Sequence, residues 1–172
     1  MEAGCAELSF RRLTDADLPL LHDWLRRGHV RRWWRDTTTY EETVAHYGPA
    51  LRGEDPTDHY VIVVDGRDAG MIETYLVSDH PEWESVVEVG EGVAGVDLLI
   101  GEVGLVGRGL GPRILRAFVD GVVFTRAGVH ACVAAVDEEN RPSWRAFEKA
   151  GFRHVRDVEE NGRPHRLLRL DR

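Results

Sequence analysis

The feature that most narrows what this chain can become is the run Ile100-Gly101-Glu102-Val103-Gly104-Leu105-Val106-Gly107-Arg108-Gly109-Leu110-Gly111-Pro112, which joins an apolar stretch to an amphipathic one. Glycines let a backbone turn tightly and aim several N–H groups at one point. The helix that follows adds the positive end of its dipole, so the loop suits a pyrophosphate. Pro112 falls in the first helical turn, where its missing N–H costs nothing. The loop is not a P-loop, since no Gly-Lys-Ser/Thr follows. Its spacing and the hairpin before it also differ from a Rossmann fingerprint.

The elements around this loop can be read from periodicity. Glu7 to Leu13 alternates as a first strand. Thr14 reads as an N-cap with Asp15 and Asp17 in the first turn, and Leu18, Leu21, Trp24 and Leu25 form a buried helical face. Thr39-x-x-Glu42 is a capping box that opens a second helix. Between the two lies Arg31-Arg32-Trp33-Trp34-Arg35, more aromatic and basic than packing alone requires. Tyr60 to Val64 and Ala69 to Val77 pair as a hairpin across Asp65-Gly66. Residues 79–95 read as a long acidic loop, and Val96 to Val103 as a buried strand. A helix over Gly111 to Thr125 follows, with Ile114, Leu115, Phe118, Val122 and Val123 inward. Val129 to Val136 is a strand, Pro142 to Ala150 a helix stopped by Gly151, and Asn161-Gly162 the turn of a closing hairpin. With no repeat or linker, this order predicts a single domain over residues 1–172 built on one mixed α/β sheet.

Bulk properties set outer limits. A chain of 172 residues, 42% hydrophobic and 30% charged, has a globular composition. No stretch is long and apolar enough for a membrane helix, and the start Met1-Glu2-Ala3-Gly4-Cys5 lacks the character of a signal peptide. Cys5 and Cys132 form no metal-binding spacing, so no metal and a reducing cytoplasm are expected. A net charge of −8 argues against nucleic acid as a partner. The same charge suits a polycationic small molecule, although solubility alone accounts for many acidic proteins.

The glycine run, taken with Asn140-Arg141-Pro142-Ser143-Trp144-Arg145-Ala146-Phe147-Glu148-Lys149-Ala150-Gly151-Phe152 about 30 residues on, resembles the acetyl-CoA signature of GNAT acetyltransferases. The resemblance implies a mostly antiparallel twisted sheet of about six or seven strands flanked by about four helices. It implies acetyl-CoA as co-substrate, with Val106, Gly107, Arg108, Gly109, Leu110 and Gly111 at its pyrophosphate. Leu99 and Ile100 would pair with the pantetheine arm, and Asn140 would bond that arm as well as cap a helix. The chain departs from the family at Val106, where Gln or Arg is usual, and at Phe147, where many members carry a Tyr thought to protonate the leaving thiolate. A phenylalanine has no proton to give.

Within that superfamily the chain is most similar to aminoglycoside 6'-N-acetyltransferases. Trp24-Leu25, Gly28-His29-Val30, Trp33-Trp34, the segment around Tyr47 and Gly95-Val96-Asp97 carry the likeness. It implies that Asp97 holds the sugar amine and accepts its proton, where the plain alternative is a solvated residue at a strand start. Glu73, Asp79 and Asp137 are further candidates for the cation, while Ala135 stands where the family has a second acid. Trp33, Trp34, Tyr47, Tyr75 and Trp83 are candidate walls for the acceptor, each as easily explained by core packing. Other acceptors, such as a siderophore hydroxylamine or a protein N-terminus, remain open, as does a non-catalytic acetyl-CoA sensor. A monomer and a homodimer are equally compatible with the sequence.

Overall fold

The computed structural model describes residues 5–35 and 37–172, so the reading of Met1 to Gly4 lies outside the described residues. Seven strands form one sheet in the order β1-β2-β3-β4-β5-β7-β6. The chain packs as two compact units. The first holds the described residues of Met1–Asp55 together with His59–Ile72 and Leu98–Val106. The second holds Pro56–Asp58, Glu73–Asp97 and Gly107–Arg172.

In the first unit, β1 (Leu8–Arg12) runs antiparallel to β2 (Thr57–Val64), with Phe10 opposite Ile62. Thr14 opens a single 3₁₀ turn, Asp15–Asp17, and α1 (Leu18–Arg26) continues from it. Its Leu18, Leu21, Trp24 and Leu25 are buried, as their spacing requires. After the short α2 (Gly28–Arg31), α3 (Tyr40–Leu51) begins at Thr39, whose side chain accepts from the Glu42 N–H at 3.2 Å. The β2–β3 turn places Asp65 and Gly66 both at positive φ, the backbone of a type I′ hairpin. β3 spans Arg67–Leu76. Leu13, Leu18, Leu21, Trp24, Val30, Tyr47, Val61, Met71 and Leu99 share the core of this unit.

In the second unit, residues 79–95 are not a loop. A 3₁₀ turn at Val77–Asp79 leads into α4 (Pro81–Val87), which ends at Glu88 in the left-handed conformation. Seven residues are too few for periodicity to declare a helix. Pro81 in its first turn and the acids Glu82 and Glu84 favour one nonetheless. β4 (Val93–Ile100) starts and stops three residues earlier than the apolar pattern predicts. α5 (Leu110–Phe118) passes into a π turn at Val119–Val123, closed by the Phe124 N–H on the Val119 carbonyl at 2.8 Å. That wide turn shifts the inner face, so Val119 and Val123 are buried and Val122 is not.

β5 (Ala131–Asp137) is parallel to β4 over Val93↔Ala131, Ala94↔Cys132 and Gly95↔Val133. α6 (Arg141–Lys149) precedes the hairpin of β6 (Arg153–Glu160) and β7 (Arg163–Asp171), whose turn at Asn161-Gly162 is again left-handed at both residues. Val77, Val87, Val93, Ala131, Val133, Val158 and Leu167 form one cluster on this sheet face, with Tyr75, Trp83 and Val86 against it.

Gly101, the first residue beyond β4, lies so close to the fully buried Trp24 that a Cβ there would meet the indole at 2.2 Å. Gly101→Ala should therefore destabilise the fold by about 1–3 kcal/mol through overpacking. Urea unfolding followed by circular dichroism checks this, and the transition midpoint should fall without a change in slope.

Candidate functional site

The glycine loop meets the requirements of an anion cradle. Val103–Leu105 make a 3₁₀ turn, Gly107 and Gly109 follow at φ +75 and +72, and Gly109 is the N-cap of α5. A Cβ at Gly104, Gly107 or Gly109 would meet nothing within 4 Å. Left-handed backbone, not crowding, therefore demands glycine at 107 and 109, and the loop surface is open. Val106 and Arg108 are exposed, while Leu110 is buried and anchors the helix start. At Gly111 a Cβ would come within 3.2 Å of the Ala146 Cβ, which brings α5 close against α6. Alternating left-handed residues at a helix N-terminus turn N–H groups to one side. This fits a pyrophosphate, and with it the acetyl-CoA expected from sequence.

Asn140 caps α6, its side-chain oxygen accepting from the Ser143 N–H at 3.4 Å. The amide NH₂ is a donor that this bond does not use. Phe147 departs from the expectation of a cofactor contact. It is 2% exposed and meets Phe152 edge-on at 5.1 Å, which makes it a core residue.

Elsewhere in the second unit, the Tyr75 ring fills the space above Gly95, where a Cβ would lie 2.3 Å from it. The Thr74 hydroxyl donates to the Gly95 carbonyl at 2.8 Å and ties β3 to β4 at that level. Asp97 and Glu73 each stand two residues along their strands, on the same face as Gly95 and Tyr75. Burial first, then the charges of Asp97, Glu73 and Glu160, push the Tyr75 phenol well above its ordinary value, and a hydrogen bond with Trp83 works against them. Tyr75 is therefore a neutral hydroxyl, kept so chiefly by burial and secondarily by the nearby carboxylates. The buried Cys132 thiol is also pushed up, by burial and then by Asp97. The His80 ring meets Tyr75 edge-on at 4.9 Å, and His165 lies 3.4 Å from Glu160. Sequence reading missed Glu160, because only the β6–β7 register brings the residue before an Asn-Gly turn to this face.

Not every candidate joins this group. Asp137 forms an ion pair with Arg163 at 2.8 Å and accepts from the Glu139 N–H at 3.0 Å. Burial alone would raise its carboxyl, but these bonds and the charges of Arg163 and His165 hold it below the usual range. Its charge is thus already matched, contrary to its expected part in binding a cation. Asp79 is exposed. Tyr47 is 1% exposed in the core of the first unit, edge-on to His46 and His59, which removes it as an acceptor wall. Trp34 packs partly against that core, and the half-buried Trp33 carries the Arg32 guanidinium 4.9 Å over its ring.

In the first unit, the residues after Leu99 and Ile100 are held by side chains. His29 Nε2 lies 2.8 Å from the Ile100 carbonyl, and Arg27 donates to the Gly101 carbonyl at 2.9 Å. Trp24 donates to Glu102 at 3.0 Å, and Arg27 pairs with the same carboxylate at 3.1 Å. The Glu102 carboxyl is lowered, chiefly by the Trp24 bond, then by Arg27 against some burial. Among the described residues, no group of three or more His, Cys, Asp or Glu could hold a metal ion. No described helix is long and apolar enough to cross a membrane.

Comparison with known proteins agrees with this geometry. Residues 14–160 match the family model of the acetyltransferase (GNAT) domain, and the chain belongs to the GNAT acetyltransferase family. It is 29% identical over 150 residues to an aminoglycoside N(6')-acetyltransferase type 1 of Klebsiella pneumoniae, covering 84% of this chain and 73% of that protein. It is 27% identical over 169 residues to the lysine N-acyltransferase MbtK of Mycolicibacterium paratuberculosis, covering 95% and 72%. Among solved structures, it is similar to aminoglycoside acetyltransferase AAC(6')-Ib in complex with coenzyme A and kanamycin. The TM-score is 0.88 at 27% identity, over 96% of this chain and 95% of that one.

The Asp137 pair gives a test by pH. A carboxyl whose folded value is depressed adds stability above its unfolded value, ~3.9, and loses it as pH falls through the folded value. Asp137→Asn should therefore melt below wild type at neutral pH, and the two curves should converge as pH falls through the acid range. Thermal melts at several pH values measure this.

Proposed function

We propose that the chain transfers the acetyl group of acetyl-CoA to the 6'-amine of an aminoglycoside, with Asp97 as the residue that holds and deprotonates the amine. The observation that carries the acceptor reading is the set of carboxylates placed around Tyr75: Glu73 two residues before it on β3, Asp97 two residues beyond the Gly95 that its ring covers, and Glu160. A field that penalises a phenolate favours an ammonium in the same place. Likeness to enzymes named for the same acceptor adds weight. Two free cysteines, Cys5 and Cys132, suit the cytoplasm as the place of work.

Each part of the site takes a separate task. Gly107 to Gly111 and the backbone of Val106 would hold the pyrophosphate with N–H groups, and Asn140 would offer its amide to the pantetheine arm. Acetyl-CoA supplies the activated thioester. The Leu99–Ile100 backbone would donate N–H groups to the thioester carbonyl oxygen. Asp97 orients the ammonium and takes its proton, which leaves a neutral nucleophile. Glu73 and Glu160 hold other amino groups of the polycation, while Tyr75 and Trp83 provide apolar walls with one hydroxyl between acids. With Phe147 in the core, the departing thiolate takes its proton from solvent.

The charge of Gly109→Glu falls where the phosphates would bind. Calorimetry should find acetyl-CoA binding lost. Gly109→Ala, which carries the same left-handed strain without the charge, should keep much of it. Equal losses in both would assign the effect to backbone and not to the anion site.

Asp97→Asn keeps the shape of the side chain and removes its charge. The rate with an aminoglycoside bearing a 6'-amine should drop by ~10²–10⁴, the range typical of general acid–base catalysis. Acetyl-CoA affinity and melting temperature should stay near wild type. Turnover within a few-fold of wild type would remove Asp97 from the mechanism. A thiol-release assay that included hydroxylamines and lysine derivatives would then show which acceptor the protein prefers.

A further inference from the structure

We infer that His29 is a positioning residue for acetyl transfer, holding the end of β4 in the direction the reaction needs; this rests on the acetyltransferase reading above. The observation is a pair of consecutive peptide planes, each held at both ends. In the first plane, the Ile100 carbonyl accepts from His29 at 2.8 Å while the Gly101 N–H donates to the Ala69 carbonyl at 2.8 Å. In the second, the Gly101 carbonyl accepts from Arg27 at 2.9 Å while the Glu102 N–H donates to the same Ala69 carbonyl at 3.1 Å. The Trp24 ring presses on Gly101 from the side, and Trp24 and Arg27 share the Glu102 carboxylate.

Such fixing exceeds what a strand end needs. Strand termini ordinarily leave their last carbonyls to water, whereas here Arg27, between α1 and α2, and His29, in α2, replace it. The plane that His29 holds is hinged at the Ile100 Cα to the plane that carries the Ile100 N–H, so fixing the one restrains the direction of the other. A carbonyl only accepts, so His29 presents Nε2–H to Ile100. The neutral Nε2–H tautomer and the imidazolium both donate through that atom, so the bond survives titration of the ring. The charged groups around the clamp are Arg27, Asp23, which pairs with Arg27 at 2.8 Å, and Glu102. His29 thus acts on the strand end as a hydrogen-bond donor.

The test compares His29→Ala, His29→Phe and His29→Gln in the full chain, with melting curves, acetyl-CoA affinity and steady-state kinetics over pH. Small misplacements remote from the reacting atoms cost up to about a hundred-fold in rate. His29→Ala and His29→Phe, which donate nothing, should lose ten- to a hundred-fold in kcat, with acetyl-CoA affinity changed only a few-fold. His29→Gln, which restores an N–H donor, should recover most of kcat and keep the acid limb of the wild-type pH profile. Faster hydrogen exchange at the Gly101 amide in His29→Ala would register the loosened plane in any variant that folds. Equal activity in all three variants, within a few-fold of wild type, overturns the proposal. So does a His29→Gln as slow as His29→Ala that has also lost the acid limb, since His29 would then be moving a proton. A wild type that releases no thiol with any amine overturns the acetyl-transfer reading and this inference with it, whereas the other outcomes concern His29 alone.

Discussion

A strand that leaves its ladder must find partners for its backbone or lose them to water, and the ending of β4 is where that demand is sharpest. Its first residues pair with β5 at three positions. At its end the Ile100 and Gly101 carbonyls accept from the side chains of His29 and Arg27, and the Gly101 and Glu102 N–H groups donate to the Ala69 carbonyl. Unpaired buried peptide groups are costly, and these side chains remove that cost where water would ordinarily serve. They also make the end of the strand rigid, which a site built from backbone N–H groups requires. The glycine at 101 belongs to the same requirement, because no side chain fits between the strand and the indole.

The second unit solves a different problem, that of keeping several carboxylates close without losing the fold. Gly95 gives up its side chain so that the Tyr75 ring can lie across the strand, between Asp97 and Glu73. A phenol that stays neutral, and the Trp83 N–H that bonds to it, lie among these acids. Asp137 shows the contrasting solution, since Arg163 neutralises it outright.

Much of this was legible in the sequence. The Thr39–Glu42 box, the buried face of α1, both type I′ hairpins and the glycine loop are local features, and local chemistry specifies them. What the sequence concealed depends on contacts between distant segments. α4 was read as a loop because seven residues show no period. The π turn shifted the inner face of α5 by one position, which no propensity signals. Phe147 and Tyr47 were offered to ligands although packing had claimed them, an ambiguity any aromatic carries until burial is known. Glu160 was overlooked because its nearness to Tyr75 depends on strand register, and Asp137 was misjudged because Arg163 lies across a hairpin. His29 stood in a segment noted for its resemblance, yet nothing local shows that its partner is the carbonyl of residue 100.

The strand order of the second unit carries a consequence for the time course of folding. β6 and β7 are joined by a two-residue turn, and such hairpins form in about 1–10 μs. β5 can add to β7 next, across α6. The parallel contact of β4 with β5 spans the glycine loop and the whole of α5, so its loop-closure entropy must be met before any pairing repays it. Gly95 opposite Val133 is one of those late pairs, and the Tyr75 ring rests on Gly95. The approach of Glu160, on β6, to Asp97 and Glu73 therefore waits on that closure. While the chain is still folding, its carboxylates are spread through a loose chain, and they are concentrated only once the sheet beneath them has closed.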